Sequence, residues 1–240
     1  MSTPARSERR QNLDGGDTAP RPILHGRRHF DSPQSRCLMS QPEISEYALI
    51  GDTRTAALVS THGSIDWMCA PSFDASPLFG RLIDSHAGGS FSLEFADTIE
   101  TRRRYLPGSA VLRTDVTTST GRAHVLDSMI ANVRGTLLPQ NLLVRRAECG
   151  SGEVDVAVSF NPRCGLPGRP AERVRQIRGR GAVCEWESLA ISIASDPDLG
   201  IDAGASKHVQ LRAGQSLTLV MGVADRCRSL GYLPTRHTSF

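Results

Sequence analysis

Past residue 43 the chain is punctuated by short apolar segments, most alternating with period two and each closed by a turn-forming cluster of Gly, Pro, Asn or Asp. Runs this short do not suit amphipathic helices, but they suit strands of about 5–6 residues joined by tight turns. Tyr47 to Ile50 and Ala56 to Ser60 flank a Gly51-Asp52-Thr53-Arg54 turn, and His62-Gly63 reverses the chain into Ser64 to Cys69. The ordered region therefore opens with a three-stranded meander. Two prolines between Ala70 and Pro77 end that pattern, and Leu78 to Ile83 reads as a short helical run within 78–84. Strand-like segments resume at Ser90 to Phe95, Val111 to Val116 and Gly121 to Met129. Asn141 to Cys149 and Glu153 to Phe160 read as a hairpin across Gly150-Ser151-Gly152, and five further segments follow between Val174 and Val223. More than ten strands with almost no helix predict an all-β fold. The expected form is a large antiparallel β-sandwich of two stacked sheets with one short helix.

Length and charge narrow the function. A chain of 240 residues can bury roughly 70% of its unfolded surface in one large domain, with no need for disulfides or metals as staples. Its 5% aromatic content, 22 Gly and 14 Pro fit a turn-rich β protein, and no apolar run is long enough to cross a bilayer as a helix. The formal charge of +3 resides in the first 38 residues, where seven arginines face Glu8, Asp14, Asp17 and Asp31. The remainder is balanced, which argues against a nucleic-acid surface. Residues 1–42 are polar and aperiodic, and are expected to be a disordered tail or an extension upstream of a true start at Met39. Arginine pairs at Arg9-Arg10 and Arg27-Arg28 precede no apolar run of a signal peptide. Six cysteines without Cys-x-x-Cys spacing, and scattered histidines, predict free thiols in a reducing cytoplasm, no metal site and no cofactor.

The order of motifs carries a resemblance. Ile50-Gly51-Asp52, Ala56-Ala57-Leu58-Val59-Ser60, Gly63-Ser64-Ile65-Asp66-Trp67 and Pro71-Ser72-Phe73-Asp74-Ala75 are followed by Gly88-Gly89-Ser90-Phe91 and Arg103-Arg104-Tyr105-Leu106-Pro107. Val111-Leu112-Arg113-Thr114, Val125-Leu126-Asp127-Ser128-Met129 and Arg145-Arg146 with Gly152-Glu153-Val154 complete the series. Over residues 44 to 225 this series resembles the N-terminal, trehalase-like domain of bacterial glycoside hydrolase family 15, the glucoamylase-like and trehalase-like enzymes. There are departures. Ser72 stands where the family has arginine, Ser128 where it has phenylalanine, and the aromatic residue after Pro162-Arg163 is missing. Serine cannot reproduce the bidentate hydrogen bonding of an arginine.

The resemblance implies a β-sandwich over 43–226 that accompanies the chemistry. Inverting glycoside hydrolysis needs a general acid and a general base about 6.5–9.5 Å apart, and in this family that glutamate pair belongs to a helical barrel following the sandwich. Residues 227–240 read as a linker toward such a barrel, so the chain is expected to be truncated before it, without catalytic residues and inactive alone. The expected partner is that barrel, in cis in full-length relatives or in trans here, and an α-glucan or trehalose-type substrate is met only through it. Neither nucleic acid nor a membrane is an expected partner. Within the sandwich, Asp66, Trp67, Phe73 and Asp74 are the candidates for a substrate entrance or barrel interface. The alternatives are a structural carboxylate for Asp66, a core position for Trp67 and helix capping for Asp74. Asp52 is expected to make an Asx turn, and Asp127 to be a strand-end carboxylate. Two rival readings remain: a stand-alone glycan-binding module stacking sugars on Trp67 or Trp186, and an inactive remnant of a disrupted gene.

Overall fold

The computed structural model describes residues 42–133, 136–177, 181–187 and 189–225. Nearly all of the tail assigned to 1–42, the linker assigned to 227–240 and the alternative start at Met39 lie outside them. After a 3-10 turn at Ile44–Glu46 come β1 (Tyr47–Gly51), β2 (Ala56–Ser60), β3 (Ser64–Cys69), β4 (Pro77–Phe79), β5 (Ser90–Phe95), β6 (Thr98–Tyr105) and β7 (Leu112–Thr118). Then follow β8 (Gly121–Val133), β9 (Thr136–Asn161), β10 (Arg173–Ile177), β11 (Gly181–Glu185), β12 (Leu189–Asp196), β13 (Ser206–Arg212) and β14 (Ser216–Asp225). The strand ladders are antiparallel, as period-two segments with short turns require. Among the described residues no helix is long and apolar enough to cross a membrane.

The two layers of the sandwich are continuous through β9. Its first half pairs with β8 and β14, setting Arg145 opposite Asp127 and Val144 opposite Val220. Its second half pairs with β5 and β13, setting Phe160 opposite Phe91 and Val156 opposite Val209. The result is one fourteen-stranded sheet, running β1-β2-β3-β5-β9-β14-β12-β11-β10 with β6, β7 and β8 attached alongside. This overturns the hairpin expected across Gly150-Ser151-Gly152. Arg122 pairs with Ser151 and Ala123 with Cys149, so Gly150 is an extra residue and the chain bulges without reversing. Gly152 adopts φ 69°, and a Cβ there would lie 2.2 Å from the carbonyl oxygen of Thr120. Glycines that could close a turn serve here to bend one long strand from layer to layer.

The helix expected over 78–84 is also absent. Leu78 and Phe79 are both fully buried, and β4 pairs with β3 through Met68 and Phe79. Phe79 lies against Phe91 and Phe160, each with ring centroids 6.3 Å away. Two adjacent core side chains satisfy a strand buried on both faces better than one helical stripe. From Gly80 the chain turns, with Gly80 N–H donating to Gly88 O, and the Asp84 carboxylate accepts from the His86 and Ala87 amides. The core is a single cluster in which Leu112, Val125, Leu143 and Ala147 of one layer face Ile50, Ile65, Phe91 and Phe160 of the other.

Candidate functional site

Asp52 organises one end of the sandwich. It is buried in the β1–β2 turn, where Oδ1 accepts from the amides of Arg54 and Thr55 at 3.0 and 2.9 Å, the Asx geometry expected of it. Its Oδ2 accepts from Asn141 Nδ2 at 2.8 Å, which ties the turn to β9 in the opposite layer. Thr55 Oγ1 donates to the carbonyl of Cys69, and the Phe73 amide to that of Arg54 at 3.1 Å. The turn, the end of β3 and the 70–76 loop are thus fastened together.

Asp66 lies below this surface. Its neighbours on β3 other than the half-buried Trp67 are buried too, and β4 and the turn after it run along one edge of the strand, with the Leu82 amide donating to Asp66 O. The carboxylate accepts from Tyr47 Oη at 2.8 Å and Ser64 Oγ at 2.6 Å, and pairs with Arg81 Nε at 2.9 Å. Burial, then the bond to Asp66, raises the Tyr47 hydroxyl well above its ordinary range. Asp66 therefore holds three elements in place. Trp67 is partly buried beside it.

Phe73 and Asp74 differ from Asp66 in being exposed. Phe73 presents 62% of its surface, and Asp74 accepts from Ser72 Oγ at 2.6 Å. That bond and a backbone hydrogen bond hold the Asp74 carboxyl below its ordinary range. Ser72, the departure from the arginine of the family motif, thus stabilises the charge on its neighbour. Asp74 caps no α-helix, since a strand follows it. Of the four residues singled out, the structure brings Phe73 and Asp74 together on one surface loop and places Asp66 and Trp67 in the layer that supports it.

Trp186 is in the core, with its indole N–H donating to Arg169 O at 3.2 Å. Asp127 is a mid-strand residue of β8, 1% exposed, and not a strand-end carboxylate. It faces Arg145, which is wholly buried. Arg145 Nε and Nη2 reach its two oxygens at 2.7 and 3.4 Å, Nη1 donates to Phe91 O at 2.8 Å and Nη2 to Gly63 O at 2.7 Å. The guanidinium also lies 5.2 Å from the centre of the Phe91 ring. Alternation along Leu143-x-Arg145-x-Ala147-x-Cys149 and Ala123-x-Val125-x-Asp127-x-Met129 puts both charges on inward rows, a signal that could have paired them.

The sequence of this region matches a known family. Residues 38–178 match the family described as trehalase-like, N-terminal. The chain belongs to that family. Among curated proteins, the trehalase of Mycolicibacterium smegmatis is 31% identical over 135 residues, which is 50% of this chain and 20% of that protein. The trehalase of Mycobacterium tuberculosis matches with the same identity and coverage. A trehalase of Thermoplasma volcanium is 39% identical over 59 residues, 25% of this chain and 10% of its own length. The match to the mycobacterial proteins thus spans about a fifth of their length. All that has been described from Tyr47 to Gln176 lies inside the matched region of the trehalase-like domain, including Asp52, Asp66, the Phe73 loop and the Asp127–Arg145 pair.

Proposed function

We propose that this trehalase-like domain is the non-catalytic companion of a glycoside hydrolase of family 15. It supports hydrolysis of α-glucosidic bonds, in trehalose or malto-oligosaccharides, by a helical catalytic domain joined to it or supplied by another chain. The observation that carries the reading is the engagement of three buried aspartates. Asp52, Asp66 and Asp127 are each tied to amides, hydroxyls or a guanidinium that fix the fold. A general acid must instead keep a proton facing the leaving oxygen, with a second carboxyl about 6.5–9.5 Å away.

The exposed Phe73–Asp74 loop is the proposed contact with the catalytic domain, with Asp66 and Trp67 as its support. Location favours it. β14 ends at Asp225 opposite Leu189, and two residues earlier its Val223 stands opposite Asn141 of β9, which holds Asp52. β14 therefore ends at the end of the sandwich that carries this loop. The free thiols of Cys69, Cys149, Cys164 and Cys184 suit a reducing cytoplasm, the compartment proposed here. Sedimentation of the chain mixed with a mycobacterial trehalase lacking its matched region tests the partnership. A complex weakened by Phe73→Ser supports the loop as the contact; no complex at micromolar concentration counts against it.

A further inference from the structure

The outer face of β6, β7 and β8 carries a charged grid unrelated to the loop above. Register sets Glu100, Arg102 and Arg104 opposite Thr117, Asp115 and Arg113, and Thr117 opposite Arg122. Arg104 and Arg113, like charges directly across the ladder, would repel. Asp115 offsets this by pairing with both, at 2.6 and 2.7 Å. Arg102 pairs along its own strand with Glu100 at 2.8 Å, and 76% of its side chain remains in solvent. Arg122 is exposed and has no carboxylate partner among the described residues. Four guanidiniums thus face two carboxylates, although beyond residue 38 the chain as a whole carries as many acidic as basic residues. An open hollow of about 350 Å3 lies over the six residues from Glu100 to Arg122 that border it, and adjoins a second of about 240 Å3 that shares Asp115, Thr117 and Arg122.

We propose that this face docks an extended acidic segment of a protein partner. The surplus charge sits at separate points on either side of β7, at Arg104, which shares the single carboxylate of Asp115 with Arg113, and at Arg122, with ionised Asp115 between them. A peptide can place two glutamates on those points and keep uncharged backbone over Asp115. A compact phosphate cannot reach both arginines without approaching that carboxylate. Nucleic acid prefers an unbroken basic track with aromatic stacking platforms, and a second copy of this face would meet its own charge.

The test is fluorescence anisotropy of labelled poly-L-glutamate with the full chain at low and at physiological salt. Arg104→Glu with Arg122→Glu is compared with Lys207→Glu and Arg212→Glu on β13, a variant of identical net charge. The proposal expects saturable, salt-sensitive binding that weakens about tenfold or more in the first variant and stays within about threefold in the second. Equal losses in both, which would indicate net charge alone, overturn it. So do absence of binding by the unmodified chain, and stronger displacement by inorganic phosphate or oligothymidylate than by unlabelled polyglutamate. Thermal unfolding of both variants confirms that each is folded when binding is read.

Discussion

Asp127 and Arg145 stand directly opposite each other on β8 and β9, and the arginine that neutralises this buried carboxylate also donates to Phe91 O and Gly63 O in the facing layer. One side chain thus completes a strand ladder and joins two layers. Arg145→Ala would leave a buried anion and two carbonyls without their donor, with an expected loss of about 3–5 kcal/mol. Arg145→Lys keeps the charge but lacks the planar fork, and should recover only part of that loss. Asp127→Asn with Arg145→Met, which removes both charges, should be less harmful than Arg145→Ala. Urea denaturation of the three variants checks the order.

Gly152 tests the bend in β9. Its φ of 69° and the 2.2 Å approach that a Cβ would make to Thr120 O allow little relief. Gly152→Ala is expected to cost more than about 1 kcal/mol, whereas Gly214→Ala, with similar φ but open space around it, should cost less. A small change at Gly152 in thermal unfolding would mean that the bulge can rearrange.

His124 gives the fold a pH dependence. Burial, and then the neighbouring Arg113, hold its pKa below the ordinary value of 6.5. Below pH 6.5 the unfolded chain therefore binds a proton that the folded chain resists, and stability falls as pH drops toward the folded value. His124→Gln should flatten that part of the stability profile. Unfolding midpoints between pH 7 and pH 5 that change equally in both proteins would exclude the effect.

Much of this architecture is legible in the sequence. The opening meander, the all-β class and the layered form follow from alternation and turn residues, because both act locally. β6 is not legible by that route: it is exposed along most of both faces and has no apolar rhythm. The Gly150–Gly152 bend is not legible either, because a bulge and a hairpin use the same residues, and only the partner strand distinguishes them. The family motif drew attention to Asp66, Trp67, Phe73 and Asp74, but not to which would be buried. That depends on β4 and the turn after it folding beside β3, a tertiary event with no local signature.

On the proposed function, this trehalase-like domain accompanies hydrolysis and does not perform it. Glucose release from trehalose and from maltose by the purified chain is the direct measurement. The account predicts no release above a protein-free blank from pH 5 to pH 8. Sustained turnover that copurifies with the chain and is lost in a folded Asp66→Asn or Asp74→Asn variant would contradict it.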